Sequence, residues 1–164
     1  MKNVTMIAAI GRNNELGKDG KMLWHLGEDM RYFKQETMGK PIVMGLNTFY
    51  ALPKKLEGRR HIVLTSKDID LGEDVMIKHS LPEMLEYIHN NPEEFMIIGG
   101  AKVYRQFLEY ADKMHITKLC QSYDADCYFP NINYDEWAPG FPICYEDNPN
   151  YSRTIYTRKR NFKG

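Results

Sequence analysis

The sequence predicts an α/β fold: one twisted, mainly parallel sheet with an antiparallel C-terminal edge, flanked by about four helices. Short apolar segments rich in Val, Ile and Met alternate with segments of helical periodicity, which favours parallel strands joined by helices. In the last third strand follows strand with no convincing helix between, which is typical of an antiparallel edge. No repeat or low-complexity tract divides the chain, so residues 1–164 are expected to form a single domain.

Each predicted element has its own signal. The strands are short and largely apolar, and several run into Gly or Ser; they cover residues 5–10, 41–44, 61–64, 75–78, 95–98, 114–119 and 152–159. Helical periodicity covers residues 28–38, 47–52, 81–88 and 101–110. In the first helix Met30, Phe33, Lys34 and Thr37 are expected to share one face. Ser80 has the side chain of an N-cap for the third.

Composition excludes several classes of function. Lys plus Arg and Asp plus Glu each number 22, so the zero net charge gives no general attraction to nucleic acid or anionic membranes. No apolar run approaches the roughly 20 residues of a membrane span, and the N-terminal apolar stretch is too short for a secretion signal. An odd number of cysteines, 3, without CxxC or HExxH spacing argues against disulfides and metal sites. We therefore expect a cytoplasmic protein with no metal, nucleic-acid or membrane partner.

Two glycine turns are candidates for binding a phosphate. Gly99 and Gly100 lie between a predicted strand and a predicted helix, where backbone N–H groups and the helix dipole favour an anion. Gly45 occupies a similar turn, and the two could hold the ends of one extended cofactor beyond the carboxyl ends of the strands. Taken alone, each turn is equally typical of a tight connection without a ligand, and the full GxGxxG fingerprint is absent.

Two charged residues are candidates for binding a substrate. Asp29 lies in the first turn of a helix next to apolar Met30 and Phe33, where an acid is costly unless it has a partner. It could instead only complement the helix dipole. Arg59 and Arg60 lie near the end of the one basic cluster, residues 53–61; a solvated loop is the default interpretation, but the guanidinium of an arginine there can also clamp a carboxylate.

In order and spacing these pieces resemble the dihydrofolate reductase family over almost the whole chain. The matching motifs are Ile7 to Gly11, Leu16-Gly17, Met22, Trp24 and Asp29, Met44-Gly45 with Thr48-Phe49, Gly58-Arg59 with Ile62 to Ser66, Ile98-Gly99-Gly100-Ala101 with Tyr104, and Asp126 with Tyr128-Phe129-Pro130. The resemblance implies a monomeric enzyme of one-carbon metabolism that reduces 7,8-dihydrofolate to tetrahydrofolate by hydride transfer from NADPH, and that binds antifolate-type small molecules.

The resemblance also implies roles for individual residues. Asp29 would bind the pterin, Tyr104 would lie where nicotinamide and pterin meet, the loop around Met22 would close over the cofactor, and Arg59 would pair with the glutamate tail. The implied catalytic residues are Met22, Trp24, Asp29 and Tyr104. The implied substrate-binding residues are Ile7, Ala9, Asp29, Met30, Phe33, Lys34, Leu52, Leu56, Arg59, Ile98 and Thr117. The implied cofactor-binding residues are Ala8, Leu16, Gly17, Gly45, Leu46, Asn47, Thr48, Leu64, Thr65, Ser66, Ile98, Gly99, Gly100, Ala101, Lys102, Val103 and Tyr104.

One departure from the family pattern concerns the cofactor. The family usually has Arg and a second polar or basic residue after the glycine of the first turn, where this chain has Leu46 and Asn47. One cationic contact to the 2′-phosphate is therefore missing, and Thr65, Ser66, Lys67 and Lys102 remain as candidates for that contact.

Two alternatives stay open at the level of sequence. One is a reductase of the same fold that acts on a pyrimidine or pteridine intermediate. The other is a non-catalytic protein that keeps the pterin pocket. A binding protein would take up an antifolate without oxidising NADPH.

Overall fold

The structure, a computed structural model, describes residues 3–18, 21–22 and 27–159. Its strands are β1 (Val4–Ile10), β2 (Glu15–Lys18), β3 (Lys21–Met22), β4 (Pro41–Gly45), β5 (Arg60–Leu64), β6 (Val75–Lys78), β7 (Phe95–Gly99), β8 (Lys113–Leu119), β9 (Cys127–Tyr128), β10 (Trp137–Pro139), β11 (Ile143–Tyr145) and β12 (Tyr151–Arg158). Its helices are α1 (Gly27–Thr37), α2 (Leu46–Ala51), α3 (Leu81–His89) and α4 (Ala101–Phe107).

The main sheet has the strand order β10-β12-β8-β1-β7-β4-β5-β6, with β11 paired to β12. From β8 to β6 every pairing is parallel, whereas β12 runs antiparallel to β8, β10 and β11. This arrangement confirms the predicted mainly parallel sheet with an antiparallel C-terminal edge. The central strands are apolar on both faces because helices cover both.

Helices lie on both faces of the sheet. Because side chains alternate along each strand, successive residues of β1 pack against different helices. In β1, Met6, Ala8 and Ile10 join the core that also contains buried residues of α3 and α4. Ile7 points to the opposite face and joins a second apolar cluster, which includes side chains of α1 and α2.

Ser80 caps α3 as predicted, since its hydroxyl accepts from the Glu83 N–H at 3.2 Å. The face of α1 differs from the prediction: Met30 and Lys34 are exposed, while Asp29, Tyr32, Phe33 and Thr37 are partly or fully buried. The buried face is shifted because polar Asp29 and Tyr32 have partners inside the protein. Helix α4 is three residues shorter than predicted, ending at Phe107 rather than at residue 110. The small antiparallel sheet β3-β2-β9 was not predicted.

Candidate active site

Three side chains lie in one row across the strands at the antiparallel edge. Thr117 of β8 is the register partner of Ala9 in β1 and of Arg153 in β12. Register partners project from the same face of a sheet. The row therefore faces the same side as Ile7, which is the side covered by α1.

Asp29, in the first turn of α1, lies over this row. Its Oδ1 atom accepts a hydrogen bond from the Thr117 hydroxyl at 2.5 Å and another from Arg153 Nη2 at 3.2 Å. The Asp29 side chain is 17% exposed and that of Arg153 9% exposed, so the ion pair is largely removed from water. Asp29 is thus a bound, inward-facing carboxylate, which a helix-start acid on the surface would not be.

A second polar pair adjoins the first. Tyr32 of α1 lies 2.5 Å from His115 Nδ1, measured from its hydroxyl oxygen. Burial, reinforced by Glu36, raises the pKa of Tyr32 to about 12. Burial also lowers the pKa of His115 below its usual range, with Glu36 opposing the shift. At neutral pH the Tyr32 hydroxyl therefore donates to a neutral His115.

Tyr104 of α4 connects the second glycine turn to the central strand. Its hydroxyl donates to the Ile7 carbonyl at 2.7 Å, and its side chain is buried. Burial, with a smaller contribution from the Asp29 charge, raises the pKa of Tyr104 far above its ordinary value. The hydroxyl consequently stays protonated and serves as a fixed donor rather than as a base.

The Gly99–Gly100 turn lies against the Tyr104 ring. Gly99 has φ +118°, and a Cβ added there would lie 3.1 Å from Tyr104 Cε2. Both the backbone angle and the lack of space require glycine at this position. The peptide bond between Gly99 and Gly100 is cis.

An apolar wall borders these groups. One cluster unites five predicted substrate-binding side chains, four of them only partly buried: Ile7, Phe33, Leu52, Leu56 and Ile98. A partly exposed apolar surface beside one bound carboxylate is suited to a flat, polar-edged ring.

Arg59 is fixed near the C-terminal end of α1. Its Nη1 donates to Thr37 Oγ1 at 3.2 Å and its Nε donates to the Glu57 carbonyl at 3.0 Å. His61 supports the same loop, because its Nε2 accepts from the Leu56 N–H at 3.0 Å while Nδ1 donates to the Arg59 carbonyl at 3.1 Å. Lys34 is exposed on α1, one turn before Thr37.

The two glycine turns face each other at the carboxyl ends of β4 and β7. A Cβ added to Gly100 would lie 3.4 Å from Thr48 Oγ1, and one added to Gly45 would lie 3.2 Å from Val103 Cγ2. Neither α2 nor α4 has a side-chain cap, in contrast to α3. The first-turn N–H groups of both helices are therefore not used by a capping side chain and fit the phosphates of a dinucleotide such as NADP(H).

The remaining predicted cofactor residues flank these turns. Leu64 ends β5, Thr65 and Ser66 follow it, and Lys67 donates its N–H to Thr65 Oγ1 at 3.2 Å. Lys102 and Asn47 are exposed, Ala101 is half-buried at the start of α4, and Ala8 is buried in β1. Leu46 packs on the apolar cluster that contains Ile7 and so offers no charge to a phosphate.

Some predicted site residues are not among the groups described above around Asp29 and the two glycine turns. Leu16 and Gly17 lie in β2, where Gly17 pairs with Met22 of β3. Trp24 lies outside the described residues. Met30 is 51% exposed on α1.

Sequence reasoning missed the groups beneath Asp29, which are Arg153, Tyr32, His115 and Tyr145. For Arg153 a signal existed, since strand alternation places this charge on the same face as buried Tyr151.

The described residues contain neither a candidate membrane-spanning helix nor a candidate metal-binding cluster. Among residues 3–18, 21–22 and 27–159, no helix is long and apolar enough to cross a membrane. In the same part of the chain, no group of three or more His, Cys, Asp or Glu side chains could hold a metal ion.

The parallel sheet, the two uncapped glycine turns and the largely enclosed Asp29 carboxylate are typical of an α/β enzyme that uses a nucleotide cofactor. The sequence profile described as dihydrofolate reductase matches residues 3–159. The chain therefore belongs to the dihydrofolate reductase family.

Individual relatives agree with this assignment. The Bacillus subtilis dihydrofolate reductase is 35% identical over 164 residues, covering 98% of this chain and 97% of that protein. The Haemophilus influenzae dihydrofolate reductase is 38% identical over 137 residues, covering 84% of each. The solved dihydrofolate reductase of Enterococcus faecalis, complexed with NADP(H) and RAB-propyl, superimposes with a TM-score of 0.87 at 28% identity over 96% of each chain.

Proposed function

We propose that the Asp29 cleft binds the pterin of dihydrofolate and that the two glycine turns hold NADPH. As a member of its family the chain is an NADPH-dependent oxidoreductase that reduces dihydrofolate to tetrahydrofolate. The observation that carries the assignment of the site is the Asp29 carboxylate, bound to Thr117 and enclosed between α1 and the sheet.

Asp29 would orient the substrate. A carboxylate accepts hydrogen bonds only, so its free lone pairs match the amino group and ring N–H of a pterin. Desolvation strengthens this attraction and favours the substrate form that carries an extra proton. The family pattern places no acid beside the imine nitrogen, so we infer that a water carries the proton there. Met30 and the apolar wall would cover the rest of the ring.

The cofactor supplies the hydride when it is bound. The chain's own residues would position it: the uncapped amides after Gly45 and Gly100 face phosphates, and Tyr104 fixes the turn beside Ile98. Thr65, Ser66 and Lys102 are proposed to contact the 2′-phosphate, since Leu46 cannot. Met22 and Trp24 are proposed to belong to the loop that closes the site.

The substrate tail would meet Arg59. Its guanidinium is held by Thr37 and by the Glu57 carbonyl, which leaves further donors for a carboxylate. Lys34 adds a second positive charge on the same helix. We further propose that the protein is a cytoplasmic monomer and that it binds antifolates.

The direct test follows reduced-nicotinamide absorbance with dihydrofolate, in parallel with NADPH and NADH. We expect oxidation that depends on dihydrofolate and is faster with NADPH. If an antifolate binds but no NADPH is oxidised, the chain is a pterin-binding protein instead. Oxidation with a pyrimidine or pteridine intermediate but not with dihydrofolate would indicate a different reductase of the same fold.

A further inference from the structure

We propose that Arg153 is a positioning and specificity-determining residue of the pterin site: it neutralises Asp29 from beneath and biases the site against cationic ligands. The proposal rests on the proposed role of Asp29 in binding the pterin. It goes further because it assigns a function to a cation that belongs to neither the substrate tail nor the cofactor.

The contacts of Arg153 orient it toward Asp29. Nη2 donates to Asp29 Oδ1 at 3.2 Å, and Nη1 donates to the Tyr145 hydroxyl at 3.1 Å. Its Cζ lies 3.7 Å from the ring centroid of Tyr32 and 5.0 Å from that of Tyr145. Aromatic faces on both helix and strand thus hold the guanidinium in place. Only Nε lacks a partner among the described residues.

The two oxygens of the Asp29 carboxylate thus have different roles, since the protein donates to Oδ1 and the proposal assigns Oδ2 to the ligand. Thr117 and Arg153 both donate to Oδ1, from the same row of the sheet. Both hydrogen bonds that the described residues donate to Asp29 end on Oδ1, and we assign Oδ2 to the ligand. Two donors on one oxygen restrict the rotation of the carboxylate.

The electrostatic consequence follows from the charge of the pair. A lone buried carboxylate would attract a cationic ring strongly because the surroundings screen it weakly. Here the guanidinium cancels most of that field. A neutral pterin still gains its hydrogen bonds, whereas a protonated 2,4-diaminopyrimidine gains less than it would from an uncompensated carboxylate.

Other titratable groups near Asp29 do not supply a competing charge. Tyr32 from α1 and Tyr104 from α4 both have raised pKa values and stay neutral. His115 from β8 has a lowered pKa and is neutral at pH 7, and Tyr145 from β11 bonds to Arg153 itself. Glu36 acts on Tyr32 and His115 rather than contacting the pair. Arg153 from β12 is the one described cation in contact with Asp29.

The test compares wild type with Arg153→Met, which keeps an unbranched stem and removes the charge, and with Arg153→Lys, which keeps the charge. Two quantities are measured: the Kd ratio of a protonated 2,4-diaminopyrimidine to folate, and the pH dependence of single-turnover reduction. For Arg153→Met we expect a ratio about tenfold more favourable to the diaminopyrimidine and a rate profile displaced about one pH unit upward. Arg153→Lys should stay near wild type in both.

An unchanged ratio and superimposable profiles in folded Arg153→Met would overturn the proposal. If Arg153→Met does not fold, Arg153→Gln replaces it, since Gln keeps a polar side chain without a charge. The same measurements on Asp29→Asn separate the two proposals. If Asp29→Asn binds and reduces like wild type, the proposed site fails; if it is impaired while the Arg153 variants match wild type, only the present inference fails.

Discussion

The Thr117 hydroxyl donates to Asp29 Oδ1 at 2.5 Å, across 88 residues of sequence, and so ties the first turn of α1 to strand β8. A hydrogen bond to a charged group contributes more to stability than one between neutral groups. The bond also fixes the oxygen that would otherwise rotate within the cleft.

Replacing Thr117 by Val should therefore loosen the carboxylate without changing the side chain's shape. We expect kcat/KM for dihydrofolate to fall about tenfold, which corresponds to about 1.4 kcal/mol of transition-state stabilisation. Thr117→Ser keeps the hydroxyl and is the matched control. Equal losses in both variants would show that packing, rather than the hydrogen bond, is responsible.

The apolar side chain at position 46 should weaken discrimination between cofactors. Leu46 lies at the start of α2, beside the turn that we assign to a phosphate. Leu46→Arg should tighten NADPH about tenfold and leave NADH nearly unchanged, because only NADPH carries the 2′-phosphate. Titration with each cofactor measures the two dissociation constants, with Leu46→Gln as the uncharged control. An equal gain for both cofactors would place residue 46 away from that phosphate.

The proposed pairing of Arg59 with the glutamate tail predicts that its removal weakens only ligands that carry the tail. Arg59→Ala should raise the Kd of dihydrofolate about a hundredfold, as expected for loss of a charged pair. A pterin without the glutamate tail should bind as to wild type, since Asp29 and the apolar wall are untouched. Arg60→Ala on the neighbouring exposed residue, which pairs with Glu93, is the control. Similar losses for both ligands would remove Arg59 from the tail site.

His61 predicts a decline in stability on acidification. Burial lowers its pKa, although the hydrogen bond to the Arg59 carbonyl opposes the shift, and Nε2 accepts from the Leu56 N–H only when the ring is neutral. The folded protein thus binds this proton less readily than the unfolded chain, whose histidines titrate near about 6.5. The contribution of His61 to the free energy of unfolding is therefore fully present above that pH and is lost as the pH falls below it.

The measurement is the free energy of unfolding against pH for wild type and His61→Asn. Asn keeps a donor and an acceptor but does not titrate, so its curve should be flatter between about pH 7 and 5. The slope that remains in the His61→Asn curve is assigned in part to His115, because burial also lowers the pKa of that residue. Parallel curves would mean that His61 does not contribute.

The fold was predictable because the strands of the sheet's centre are apolar on both faces. Those segments, such as Pro41–Gly45, were located to within one residue. The strands β2, β3 and β9 were missed because they are short and contain several polar residues, so that no periodicity develops.

The candidate site was predictable only in part. Asp29 and the glycine turns lie next to recognisable local patterns, but Arg153 meets Asp29 across 124 residues. Periodicity also misplaced the face of α1, since it counts polar side chains as outward-facing. Tyr32 and Asp29 face inward because partners on β8 and β12 satisfy them.

The most direct test of the account is single-turnover reduction of dihydrofolate by NADPH in wild type and Asp29→Asn near neutral pH. The substitution keeps the shape and removes the charge that favours the protonated substrate. We predict that the variant stays folded, with NADPH affinity within about twofold of wild type and a reduction rate lower by about a hundredfold or more. A rate close to wild type in the folded variant would contradict the assignment of Asp29 as the central pterin-binding acid.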